Sequence, residues 1–130
     1  MPSSNFVYVE PKSAAQEAFA YEEREIYVVP NPATRESMAA WALDPTNEDP
    51  SGTKVEFRHL PRATGVIRIY TLAGDLVKEL PFDSRRGVGT MKWDLVSRNG
   101  QDVTSGVYLY SVEVDGGQID RKIGKFTVIR

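Results

Sequence analysis

Apolar and polar residues alternate along most of the chain from Ile26 to Arg130. In "TKVEFRHL", Val55 and Phe57 share one face, and Glu56 and Arg58 the other. In "GVIRIYTL", Ile67 and Ile69 stand together opposite Arg68. "GTMKWDLV" sets Met91, Trp93 and Leu95 against Lys92 and Asp94. "GVYLYSVEV" sets Tyr108, Tyr110, Val112 and Val114 against Ser111 and Glu113. In "KFTVIR", Phe126 and Val128 share the inward face. A period of two sends successive side chains to opposite faces, so each stretch predicts a strand with one buried and one wet side. "IYVVP" adds a short first strand, and "DLVKEL" follows an "AGD" turn. Asn99-Gly100 predicts a tight turn because both residue types tolerate positive φ, and Gly116-Gly117 predicts another.

About seven half-buried strands result, and such one-sided alternation belongs to antiparallel sheets. Two such sheets packed face to face make an all-β sandwich; pattern alone does not separate a sandwich from a barrel. The long connection Ala33–Gly52 holds Pro45, Pro50 and Gly52 and four acidic residues, and predicts a surface loop. Within it "SMAAWAL" predicts a short helical turn that tucks Trp41 against the body. Residues 1–25 differ. "FVYVEP" predicts a short strand ended by Pro11, and Lys12–Glu25 favours helix by propensity but carries few large apolar side chains. The expectation is a linker or trailing edge of a preceding domain over 1–25 and one domain over 26–130.

Composition narrows the function. The chain has 130 residues, 41% hydrophobic and 26% charged, which supports a packed core in a domain of ordinary size. A formal net charge of −2 gives no electrostatic drive toward nucleic acid. No apolar run approaches the length of a membrane helix, so no membrane insertion is expected. There is no cysteine, hence no disulfide, iron–sulfur or thiolate zinc site. The N-terminus has no basic stretch followed by an apolar one, so an exported form is expected to carry its signal on a larger precursor.

Candidate chemistry is sparse. His59 is the single histidine, which excludes imidazole clusters and Cys–His pairs; it reads as a surface or loop residue. Glu22 and Glu23 are sequence neighbours and splay apart, while Asp75, Asp94 and Asp102 fall at turns and strand edges with no cleft implied. "NEDPSG" (47–52) echoes the first half of an oxygen-ligand calcium loop, but Pro50 stiffens its fourth position and Arg58 stands where a bidentate glutamate belongs. A looser site using Asp44 and Asp49 is the remaining calcium reading. Trp93, Tyr108 and Tyr110 alternate in phase with the core, which leaves Trp41 as the aromatic a sugar platform would recruit. No metal, cofactor or catalytic residue is assigned.

The ordered set "IYVVPNP", "VEFRHLP", "IYTLAGDLVKEL", "WDLVSRNGQDVTSGVYLYSVEV" and "GKFTVIR" resembles the immunoglobulin-like C-terminal domains of bacterial secreted proteins. It is similar to flagellar hook-capping immunoglobulin-like domains and to the type A sorting domains of type IX secretion. The resemblance covers Ile26–Arg130 and departs from the sorting domains in its long loop at 33–52 and its stop at Arg130. It implies an immunoglobulin-like antiparallel β-sandwich. Asn31-Pro32 halts the entry strand, since proline cannot donate to a ladder. Gly74 and Gly100 serve turns, Gly106 admits the backbone to the Tyr108 strand, Trp93 plugs the core between the sheets, and Tyr108 and Tyr110 are structural motif residues.

The function implied is non-catalytic: sorting or anchoring an exported protein at the cell surface. Partners would be secretion machinery or neighbouring protein domains, with no nucleic acid. The expected contact is the last strand, Lys125, Phe126, Thr127, Val128 and Ile129, because an edge strand offers unpaired backbone groups. Deleting Gly124–Arg130 is then expected to abolish display. Two further readings stand beside this one: a self-associating structural subunit of a surface fibre, and a sugar- or calcium-binding module.

Overall fold

Alternation resolves into two antiparallel sheets in a computed structural model of the chain, which describes residues 26–87, 89–115 and 121–130. The expectations for 1–25 and for the Gly116-Gly117 turn lie outside the described residues. The elements run β1 (Tyr27–Val29), α1 (Arg35–Trp41), β2 (Val55–Arg58), β3 (Thr64–Thr71), β4 (Leu76–Asp83), β5 (Met91–Trp93), β6 (Gly106–Val114) and β7 (Arg121–Val128). One sheet has the order β1-β2-β5 and the other β4-β3-β6-β7. Every ladder is antiparallel. Among the described residues the result is a β-sandwich of seven strands, not a barrel.

The inner faces carry the alternating apolar residues. Val28, Val55, Phe57 and Trp93 come from the three-stranded sheet, and Ile67, Ile69, Leu80, Phe82, Tyr108, Tyr110, Val112, Phe126 and Val128 from the other; all are buried. Phe126 is the hub. The rings of Phe57, Trp93, Tyr108 and Tyr110 lie 6.0, 6.3, 6.0 and 6.2 Å from its own, two of them edge-on. Aromatic pairs of this kind add about 0.5–1.5 kcal/mol each beyond simple burial. Trp93 also donates its indole N–H to the Val96 carbonyl at 2.9 Å, so its one polar group is satisfied inside the core.

Four local features differ from expectation. The helix within the long connection starts earlier, because Thr34 and Ser37 form a reciprocal cap: the Ser37 N–H donates to Thr34 Oγ1 at 2.9 Å and the Thr34 N–H to Ser37 Oγ at 2.8 Å. The Asn99-Gly100 turn places only Gly100 at positive φ (80°); the Gly100 N–H donates to the Ser97 carbonyl and the Ser97 N–H to that of Gln101. This is the three-residue hairpin loop, in which glycine alone takes the left-handed position. Gly74 (φ 98°) closes the β3–β4 loop in the same way. Strand β4 runs on through Pro81, tolerated because β4 is an edge strand. Finally, Glu56 faces away from the core yet is only 3% exposed. Met38, Trp41 and the 47–54 loop cover the outer face of its sheet, and Lys92 stands opposite with its ammonium 3.8 Å from Oε2. The expected wet face is a covered one there.

Candidate partner-binding edge

The four-stranded sheet has two margins. Along β4, Pro81 lacks an N–H, and the Val77 carbonyl accepts from the Arg98 N–H at 2.8 Å. Along β7 the margin is half covered. The segment after β1 crosses to it and forms a parallel bridge between Ala33 and Val128. The Ala33 N–H donates to the Thr127 carbonyl at 2.7 Å, and the Ile129 N–H donates to the Ala33 carbonyl at 2.9 Å. The Thr127 N–H donates to Asn31 Oδ1 at 3.0 Å. Asn31 therefore does more than precede a proline: its side chain caps the last strand. The edge at Thr127–Ile129, expected to be open, is occupied by the chain's own backbone.

Register shows which groups find no partner among the described residues. Tyr108 pairs with Phe126 and Val107 with Thr127, and Thr127 turns its backbone polar groups away from β6. Backbone direction alternates along an antiparallel strand, so Lys125 and Ile123 turn theirs the same way. Among the described residues no hydrogen bond reaches those groups. The Ile123 side chain is 68% exposed, a large apolar group standing beside the open edge. Of the residues assigned to the contact from sequence, Lys125 and Ile129 are exposed, Thr127 is half-buried, and Phe126 and Val128 point into the core.

The remaining motif residues are structural in placement. The Tyr108 hydroxyl donates to the Thr104 carbonyl at 2.6 Å, and that of Tyr110 crosses the core to the Ile26 carbonyl at 3.0 Å. Pro32 carries the carbonyl that accepts from the Ser37 hydroxyl at 2.8 Å. A Cβ at Gly106 would meet only Tyr108 Cε2, at 3.9 Å, so close approach does not require glycine there. Three glycines that sequence reasoning passed over do require it; at Gly89 (φ 71°) a Cβ would stand 2.6 Å from the Leu60 carbonyl oxygen. A Cβ at Gly65 would collide with the Glu113 carbonyl and the Phe82 ring, and one at Gly124 with the Tyr110 phenol. For Gly65 and Gly124 the available signal was a glycine inside an alternating strand.

The polar loops are tied internally. Asp44 Oδ1 accepts from the Thr46 hydroxyl at 2.6 Å and its N–H at 2.8 Å, which lowers the Asp44 pKa. Asp49 Oδ1 accepts from the Ser51 N–H at 2.9 Å. The Lys54 ammonium donates to Asp49 Oδ2 at 2.6 Å and holds that carboxyl well below the usual range. Lys54 thus already pairs with the Asp49 carboxylate that the calcium reading would use. Among the described residues, no three His, Asp or Glu side chains converge as a metal site. Trp41 is half-buried under the Arg58 guanidinium, 5.5 Å from its ring centre, so that face is already stacked. His59 has φ 68° and sets its ring edge-on to Tyr27 at 4.9 Å. Asp94 and Asp102, separate in the sequence reading, border one open groove of about 730 Å³ together with Glu36, Arg35 and Arg130. The Val96–Asp102 bridge brings them to the same end of the sandwich. Asp94 Oδ1 accepts from the Val96 N–H at 3.1 Å there.

With this geometry in place, solved structures supply the comparison. The chain is similar to a part of PorZ. That protein is described as an essential bacterial surface component of the type IX secretion system of Porphyromonas gingivalis. Identity is 25% at a TM-score of 0.60, over 85% of this chain and 12% of PorZ. Dimeric latent PorU from the same organism matches at 27% identity and a TM-score of 0.53, over 80% of this chain and 9% of PorU. The chain therefore spans a small fraction of either protein. No family model matches it, and no curated protein does.

Proposed function

We propose that this chain is a non-catalytic, immunoglobulin-like module of a larger exported bacterial protein. It acts at the cell surface in type IX secretion sorting or anchoring, and its partner is the secretion machinery or a neighbouring domain. The observation that carries the reading is the match to PorZ over 85% of the chain. The strand order β1-β2-β5 against β4-β3-β6-β7, with Tyr108 tied back to Thr104, supports the immunoglobulin-like assignment. The contact we assign is the open half of the β7 edge, at Ile123 and Lys125, where strand addition supplies backbone hydrogen bonds and the exposed Ile123 adds apolar contact.

Deleting Gly124–Arg130 is a poor test, because it removes Phe126 and Val128 from the core and unfolds the domain. A sharper one leaves the core intact. A reporter is fused upstream of the chain in a type IX-competent host, and Lys125→Pro is compared with wild type. Proline removes the outward N–H at an exposed position. Loss of reporter display, with an unchanged unfolding midpoint of the isolated chain, is expected. Undiminished display of a folded Lys125→Pro variant removes the edge from the mechanism.

A further inference from the structure

Between β4 and β5 the chain carries Arg85-Arg86, the one arginine pair in the sequence. The loop is pinned on both sides of that pair. Ser84 is 4% exposed, and its N–H donates to the Ala63 carbonyl at 2.8 Å. The Gly89 carbonyl accepts from the Leu60 N–H at 2.9 Å. Arg85, Arg86 and Gly87 stand between these anchors, and all three are exposed. Gly87 takes φ 126°, and a Cβ built on it would meet nothing within 4 Å. The Arg85 guanidinium is engaged by the Asp83 carboxylate at 3.0 and 2.8 Å, so Arg86 is the side chain presented. Other arginines are built into ordered backbone. Arg68 lies between two ladders in the middle of β3, and Arg58 pairs with Tyr27 in β2. Arg98 has its N–H on the Val77 carbonyl. The basic pair Arg121-Lys122 belongs to the β6–β7 ladder.

We propose that the Arg86–Gly87 bond is a processing site for a trypsin-like endopeptidase that cuts after arginine. Such an enzyme seats an exposed guanidinium on a carboxylate in its specificity pocket. It also needs backbone that can leave its neighbours, which a loop supplies and a ladder does not. Hydrolysis adds one water across the peptide bond and leaves a carboxylate on Arg86 and an ammonium on Gly87. The cut does not divide the fold. Strands β1 to β4 precede it and β5 to β7 follow it, yet each sheet draws strands from both sides. The β2–β5 and β3–β6 ladders cross the division. So do the rings of Phe57 and Phe126, 6.0 Å apart, and the bond from the Tyr110 hydroxyl to the Ile26 carbonyl. The processed domain is a two-piece sandwich held without a covalent link. The cleavage does not depend on the export reading.

Trypsin at a low ratio to the folded full chain tests it, read by intact mass and by size-exclusion chromatography with and without denaturant. Within residues 26–130 the first cut is expected after Arg86, with the two pieces eluting together in buffer and apart in denaturant. Cuts within 1–25 do not bear on the result. An Arg85→Gln, Arg86→Gln double variant should lose the intact 26–130 region about tenfold or more slowly than wild type, with an unchanged unfolding midpoint because both positions are exposed. A first cut elsewhere in 26–130, equal rates in the two proteins, or pieces that part in buffer each overturns the proposal.

Discussion

Tyr110 and Gly124 stand opposite each other across β6 and β7, and the phenol of Tyr110 lies directly over the glycine, in the space any side chain at 124 would need. This contact brings the Tyr110 hydroxyl to the Ile26 carbonyl on the far side of the core and so ties the two sheets together. Gly124→Ala must push the ring off that position. The expected loss is about 1–3 kcal/mol, the usual cost of overpacking, read as a lower urea midpoint. A double-mutant cycle with Tyr110→Ala should show coupling, since the clash disappears with the ring. Additive losses would show that the phenol does not lie over Gly124.

Phe126 and Lys125 are adjacent and should behave oppositely. Phe126 is 1% exposed amid four aromatic rings. Phe126→Ala is expected to cost about 3–5 kcal/mol through the cavity it leaves. Lys125→Ala, at an exposed position, should stay within about 0.5 kcal/mol of wild type. Equilibrium denaturation of both variants checks the contrast, and a mild Phe126→Ala would argue against the aromatic hub.

Much of the fold is legible in the sequence, and the reason is periodicity. A period of two predicts Ile67, Ile69, Tyr108, Tyr110, Phe126 and Val128 as inward, and all are buried. Alternation reports which face a residue takes, but not what lies above that face. Glu56 is the case in point: it does take the outer face, and only the fold of 38–54 reveals that this face is covered. The edge shows the same limit. The last strand is expected to offer an edge, and among the described residues β7 does stand at the margin of its sheet, but part of that margin is covered by Asn31 and Ala33, ninety-odd residues earlier, and no local pattern encodes such a pairing. Left-handed backbone at Leu95 (φ 63°) was equally hidden, because nothing in a buried leucine signals it.

Asn31 offers the direct test of that cover. Its Oδ1 is the acceptor for the Thr127 N–H at 3.0 Å. Asn31→Ala leaves the donor on an exposed edge, where water substitutes, so the stability loss should be about 0.5–1.5 kcal/mol. Asn31→Asp retains an acceptor and should lose less. The Thr127 amide is expected to exchange faster in Asn31→Ala and near the wild-type rate in Asn31→Asp. Unchanged Thr127 protection in the alanine variant would remove the side chain from the cap.

Acid should loosen the loops before it reaches the core. Asp83 is held at about 2, chiefly by its hydrogen bond from the Arg85 guanidinium. The Lys54 ammonium lowers Asp49, and the Thr46 hydroxyl lowers Asp44. Each carboxyl has a folded pKa below its unfolded value of 3.8. Their contribution is therefore complete above that value and is lost as pH falls through it toward the folded values. The thermal midpoint should drop between about pH 4 and pH 2, with a shallower drop in high salt because these pairs are at the surface. Asp49→Asn removes one ionisation and the charge facing Lys54, so it should lower the neutral-pH midpoint slightly and flatten the acid slope. Calorimetric scans of wild type and Asp49→Asn across that range decide the matter: parallel acid slopes would mean that the Lys54–Asp49 pair contributes nothing to folding.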